Sequence, residues 1–284
     1  MNEKTHSGHA PGGEELSAVA TAPASAPMFS RDELWARAVA TAIFLAAAAL
    51  TWRGMNSMSG GMPMPGGWVM PMMWMVMPGE SPWGAARMFL VMWQAMMIAM
   101  MLPSTWPMLA LYRRTARHSG LRPAGLATAL AGAGYFAIWL AFGAAAFAVG
   151  LGISRLAMQS DRLSQWVPAA AGVALMGAGI YQLTPLKQAC LQHCRDPLLY
   201  LGHAWRPGFA GALRVGVHHG AYCVACCWAL MVIQMVLGVM SLGVMIAVAA
   251  VIAGEKMWKR GPLLARVTGV AAIAAGVFFI LRAL

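Results

Sequence analysis

Long apolar runs broken by short polar segments, rather than strict alternation, organise this chain from Leu34 onward. Crossing a hydrocarbon core about 30 Å thick takes roughly 20 apolar residues in a helix, and several runs approach or exceed that length. The pattern predicts helices over about Leu34–Trp52, Trp83–Tyr112, Leu126–Ile153, Leu163–Leu183 and Val217–Leu237. A sixth follows the turn marked by Gly238 and Gly243 and ends near Trp258, and a last one covers Val267–Leu284. Barrel strands would alternate apolar with polar, and these Ala-, Leu-, Met- and Gly-rich runs do not. The expected fold is all-α, a polytopic transmembrane helical bundle of six to seven spans in contact with a lipid bilayer. Residues 1–33, polar and rich in Ala, Pro and Ser, read as a disordered cytoplasmic tail carrying His6 and His9. Residues 34–284 form the helical membrane domain, with a Met-rich external loop at 53–82.

Composition strengthens that assignment. Only 10% of the residues are charged and 60% are hydrophobic, where a soluble domain is about a quarter charged. The net charge of +11 suggests a polyanion partner until its placement is considered. Twelve of the twenty basic residues fall in three segments: Arg113–Arg122, Lys187–Arg214 and Lys256–Arg266. The connections between them carry only Arg53 and Arg87, then Arg155 and Arg162. Positive charge in alternate loops is a topology signal, so the N-terminus and all three clusters are expected in the cytoplasm and no nucleic acid as partner.

All nine acidic residues, Glu255 among them, fall outside the expected spans or at their ends, so the sequence offers no intramembrane proton relay. It also has no phosphate-binding loop and no nucleophile elbow.

The five cysteines fall within 38 positions. Cys190, His193 and Cys194 follow the fourth span, and His218, His219, Cys223, Cys226 and Cys227 open the fifth. In a helix His219, Cys223 and Cys226 recur at i, i+4 and i+7 and share one face, with Cys227 at its flank. Cys190 and Cys194 share another face. Both segments are expected at the cytoplasmic ends of their helices, where the two faces can meet. Thiolate and imidazole ligands suit a transition metal, copper(I) first and zinc second. A reducing compartment and an odd cysteine count disfavour structural disulfides.

The run Tyr181-Gln-Leu-Thr-Pro-Leu-Lys187 leading into Cys190-x-x-His193-Cys194-Arg195 is one of three motifs with a family likeness. The others are His219-Gly-x-Tyr-Cys223-x-x-Cys226-Cys227-Trp228 and Ala95-Met-Met with Met100-Met-Leu-Pro103. Together they resemble the bacterial family of predicted metal-binding integral membrane proteins, a domain of unknown function, over about Trp83 to Leu284. Ala225 stands where that pattern has Gly. The resemblance implies insertion in the bacterial inner membrane and a metal site, without an established activity.

Methionine adds a second chemistry. Fifteen of the 25 methionines lie between Met55 and Met101. In the external loop Met55, Met58, Met62 and Met64 alternate with Gly, Ser and Pro. Thioethers are soft ligands for Cu(I) that remain available under oxidising conditions. The alternative is a loop whose Met and Trp side chains dip into lipid. In the second span Met88, Met92, Met96 and Met100 recur every fourth residue, which fits either a packing ridge or a thioether ladder.

The expected function is copper(I) handling (uptake, delivery or metalloprotein assembly), with a metallochaperone or metalloprotein client as partner. Cys190, Cys194, His219, Cys223 and Cys226 form the expected inner site, with His193 and Cys227 as accessory ligands. Two alternatives stay open: a thiol-disulfide oxidoreductase using Cys223 and Cys226, and a scaffold whose metal pins two helices. Haem ligation by His203, His218 or His219 has no attachment motif behind it. The oligomeric state has no sequence signal.

Overall fold

The computed structural model describes residues 31–57, 60–75, 79 and 81–283, with nine α-helices and one hairpin among them. The chain divides into a unit of residues 1–39 and a unit of residues 40–284, and all packing described below is internal to the second. Of the first unit, the described part is the start of α1 (Arg31–Ser57). Its first turn carries Asp32 and Glu33, which favour a helix N-terminus, so the helix starts before the apolar run does. Most of the tail expected over residues 1–33, including His6 and His9, lies outside the described residues.

The other helices also outrun their apolar cores, because caps rather than hydropathy set their ends. Ser81 caps α2 (Pro82–His118), accepting from the Gly84 N–H at 3.1 Å, with Pro82 in the first turn. The helix continues through Pro103 and Pro107 and past Tyr112, so Arg113, Arg114 and Arg117 are helical. After α3 (Ala124–Gln159) and α4 (Asp161–Leu183), the hydroxyl of Thr184 accepts from the Lys187 N–H at 3.3 Å and starts α5 (Pro185–Arg195). Next come α6 (Pro197–Ala204) and α7 (Gly208–Gly238), which begins well before the expected Val217. The stretch from 185 to 216, expected as a connection, is therefore mostly helical. Ser241 caps α8 (Leu242–Met257), and α9 (Gly261–Ala283) closes the described chain.

Six helices, α1 to α4, α7 and α9, are long and apolar enough to cross a membrane. This is the lower of the two numbers expected, since α8 has only 16 residues. At 1.5 Å per residue α8 still rises about 24 Å. That brings it back from Gly238 to the C-terminal end of α4, where Gln182 donates to Glu255 at 3.0 Å.

Close backbone contacts fix the bundle around the cysteines. On α7, Gly216 and Gly220 lie against Ala131 and Tyr135 of α3, and a Cβ at Gly220 would sit 2.8 Å from the Tyr135 carbonyl oxygen. Small residues in this spacing let two helices approach where a side chain would hold them apart. α4 and α9 meet in the same way at Gly172 and Gly276.

Within the 53–82 connection, part of the described chain pairs as a hairpin. β1 (Gly61–Met64) pairs antiparallel with β2 (Trp68–Pro71), placing Met62 opposite Met70 and Met64 opposite Trp68. Gly66 and Gly67 take positive φ in the turn, as only glycine does without strain. Ser164 at the start of α4 holds the hairpin, donating to the Pro65 carbonyl at 2.7 Å and accepting the Trp68 indole N–H at 3.2 Å. From Ser164 to Gln182 at the other end of α4 is about 27 Å of helix.

Candidate metal centre

Because α7 starts at Gly208, Cys223 stands at its middle and not near its end, which corrects the expected placement. Cys223, Cys226 and Cys227 are buried, with their sulfurs within 4.8 Å of one another. The Sγ atoms of Cys226 and Cys227 lie 3.2 Å apart, and the Cys226 thiol also reaches the Cys223 carbonyl at 3.3 Å. The short helix α5 folds back onto α7 and brings Cys194 to the group, its Sγ 3.6 Å from that of Cys226. All five cysteines are free thiols. Two sulfurs holding one ion through bonds of about 2.3 Å stand roughly 3.5–4.6 Å apart. The cluster is already close to that spacing.

The arrangement redistributes the expected roles. Cys227, expected as accessory, belongs to the central trio. Cys190 sits one turn before Cys194 and is also buried, but its described surroundings are different. Burial raises its thiol pKa, and nearby Lys187 pulls it partly back.

Three charged side chains expected at the water interface are buried around the sulfurs instead. Lys256 donates to Cys223 Sγ at 3.0 Å and reaches Ser104 Oγ of α2 at 3.5 Å. Lys187 donates to Glu255 at 2.6 Å and to the Cys226 carbonyl oxygen. Glu255 is 1% exposed and Lys187 is 0% exposed, so the carboxylate expected outside the spans is an interior ion-pair partner. Arg195 closes the cluster by donating to the backbone carbonyl oxygens of Glu255 at 2.6 Å and Trp258 at 2.7 Å. With neutral thiols, two buried ammonium groups and one carboxylate leave this region one positive charge in excess. Burying that charge is costly unless thiolates balance it. Read as membrane topology, the two lysines were overlooked as site residues; the sequence signals were Lys187 within the cysteine-proximal motif and Glu255-Lys256 ending a short helix.

Tyr135 of α3 was also missed. Its hydroxyl lies 2.8 Å from Cys223 Sγ, and its ring stands 5.6 Å from that of His219. His219 is buried, and its Nδ1 has no hydrogen-bond partner. That leaves an unpartnered imidazole nitrogen one turn before Cys223. His193 stacks on Tyr222 at 3.8 Å, lies 6.0 Å from His218, and has an unpartnered Nε2. Burial, with His218 beside it, lowers the His193 pKa and favours the neutral ring. His193, His218 and Tyr200 line a cavity of about 690 Å³.

Among the described residues the loop methionines occupy different surroundings. Met55 occupies the last turns of α1 and packs in the central core with Phe89, Trp93 and the cysteines. Met64 packs with Met70 in the hairpin, Met62 is exposed, and Met58 lies outside the described residues. In the α2 series Met88 is exposed, whereas Met92, Met96 and Met100 are buried.

The donor set is soft: converging thiols, an unpartnered imidazole nitrogen, and a surplus positive charge that deprotonated thiols would offset. It fits a thiophilic transition-metal ion. No curated protein and no solved structure matches the chain. Residues 90–279 match the PpoB2 family, described as a copper chaperone, across the whole region that holds α7, α5 and the four clustered cysteines. The chain belongs to the PpoB2 copper chaperone family.

Proposed function

We propose that this protein handles Cu(I) in the bacterial inner membrane, holding the ion at Cys194, Cys223, Cys226 and Cys227 and passing it to a client metalloprotein. The observation that carries the reading is the convergence of four sulfurs from two helices in a buried pocket beside Lys256. Two thiolates around one monovalent ion add a single negative charge, which neutralises the surplus left by Lys187, Lys256 and Glu255. A three-thiolate zinc site balances equally well, and the family description favours copper. His219, one turn before Cys223, has an unpartnered Nδ1 and is a further candidate ligand. The cavity of about 690 Å³ lined by His193 and Arg195, on either side of Cys194 in sequence, is the place where a client would approach in this scheme. The N-terminus and the cavity face the cytoplasm in this scheme, and the hairpin faces outward.

The test is metal content. Purified protein reconstituted anaerobically with Cu(I) is expected to retain copper against a competing chelator, and Cys194→Ser/Cys226→Ser to lose most of it. The thiols should all titrate as free once the metal is stripped. Isolation with a Cys223–Cys226 disulfide that cycles with a quinone or a dithiol partner would replace this reading with the oxidoreductase.

A further inference from the structure

The buried methionines of α2 occupy the space between the hairpin and the sulfur cluster. The levels along α2 can be read from three contacts. Trp74, just after the hairpin, stacks near Phe89 with ring centroids 5.1 Å apart. Ser104 meets Lys256, which meets Cys223, so the sulfur cluster lies at the level of Ser104. Met96 and Met100 fall between these two levels, about 12 Å and 6 Å of helix before Ser104. Both are buried, as are Met97 and Met101, and all four belong to one continuous core cluster with Met55, Met231, Met245, Cys223, Cys226 and Cys227.

Packing accounts for apolar side chains at these positions, but not for Gln234. This residue of α7 is 1% exposed, and its amide nitrogen donates to the thioether sulfur of Met96 at 3.2 Å. Its carbonyl oxygen has no partner. A thioether is a weak acceptor, and burying an amide oxygen without a partner is costly. A leucine would fill the same volume without that penalty. The amide N–H aimed at Met96 fixes the position of its thioether sulfur, and two thioethers one helical turn apart are soft ligands suited to a monovalent cation. Thioethers are neutral, so burying them costs far less than burying thiolates, and they bind Cu(I) more loosely than thiolates do.

We propose that Met96 and Met100, with Gln234 positioning the Met96 sulfur, form a second Cu(I) subsite, through which the ion passes between the hairpin end of the bundle and the sulfur cluster. The inference rests on the Cu(I) reading above. The ion moves by ligand exchange from thioether to thiolate at constant oxidation state, so no oxidant or reductant takes part. Met88 is 57% exposed and takes no part, although it continues the same four-residue series.

The test uses the full-length protein in detergent with 13C-methyl-labelled methionine and Ag(I), a redox-inert soft monovalent ion. The Met96 and Met100 methyl signals are assigned from Met96→Leu and Met100→Leu, which conserve volume. Ag(I) is expected to shift both signals in the wild type and equally in Cys194→Ser/Cys223→Ser/Cys226→Ser/Cys227→Ser, where all four clustered thiols are gone. Met96→Leu/Met100→Leu should lose one bound equivalent and keep its thiolate-to-metal absorption, whereas Met88→Leu should lose none. Gln234→Leu, which removes the amide and fills its space, should weaken the same equivalent at least tenfold. Signals that shift only when the cysteines are present, or an unchanged stoichiometry in the double leucine variant, overturn the subsite. Absent thiolate absorption in the wild type, with the methionine shifts intact, defeats the sulfur-cluster reading and leaves this one standing.

Discussion

Lys187→Met isolates what the buried ion pair contributes. The ammonium is 0% exposed, contacts Glu255 at 2.6 Å, and also holds the Cys226 carbonyl. Removing it leaves the Glu255 carboxylate, 1% exposed, with Gln182 at 3.0 Å as its remaining described side-chain partner. Breaking one half of a buried pair costs about 3–5 kcal/mol, because the surviving charge stays desolvated. For a chain of this size 1 kcal/mol moves Tm by roughly 2–4 °C, so a fall of around 10 °C is expected. A fluorophore that reacts with thiols during heating reads the transition directly, since four of the five cysteines are buried and the fifth half-buried. Lys259→Met, at an exposed position four residues past Glu255, serves as the control and should change stability by less than about 0.5 kcal/mol. Lys187→Met/Glu255→Leu removes both charges and should recover most of the loss. A single variant no worse than the control, or a double variant in which the two losses add, would refute the assignment of Lys187 and Glu255 as an interior pair.

Three further outcomes follow from the geometry. Cys190→Ala should keep its copper in the chelator assay, because its sulfur is outside the group formed by Cys194, Cys223, Cys226 and Cys227; loss comparable to Cys194→Ser would restore it as a ligand. Gly220→Ala puts a Cβ 2.8 Å from the Tyr135 carbonyl oxygen, so α3 and α7 must separate, at about 1–3 kcal/mol, with the Tyr135–Cys223 contact lengthened. A Gly220→Ala protein with wild-type Tm and unchanged thiol reactivity would rule that seam out. Cysteines introduced at the exposed positions Ser57 and Ser119 should label from opposite sides of sealed vesicles, and labelling from one side would remove the transfer scheme.

Much of the helical architecture was readable because a hydrocarbon solvent demands long apolar segments with internally satisfied backbones, and that demand is written residue by residue. Helix ends were less readable. α7 begins at Gly208 and α2 runs to His118 because capping and tertiary contact, not hydropathy, decide where a helix stops. The hairpin was not expected, because neither its apolar content nor its glycines reveal the grip of Ser164, about a hundred positions away.

The sequence by itself determined the inventory of chemistry: five cysteines within 38 positions, histidines at helical spacing, and a chain with very few charges. It could not rank those ligands, since i, i+4 spacing places Cys190 and Cys194 on one face without saying which of them reaches α7. Only the tertiary structure decided that Cys194 and Cys227 join the cluster, when α5 folded back after Thr184. It also decided that Lys187, Glu255 and Lys256 are interior. A lysine near the end of a helix has the same sequence signature whether it meets water or a buried sulfur. What distinguishes the two is whether another helix supplies a counter-charge and excludes solvent, and that depends on residues tens of positions away.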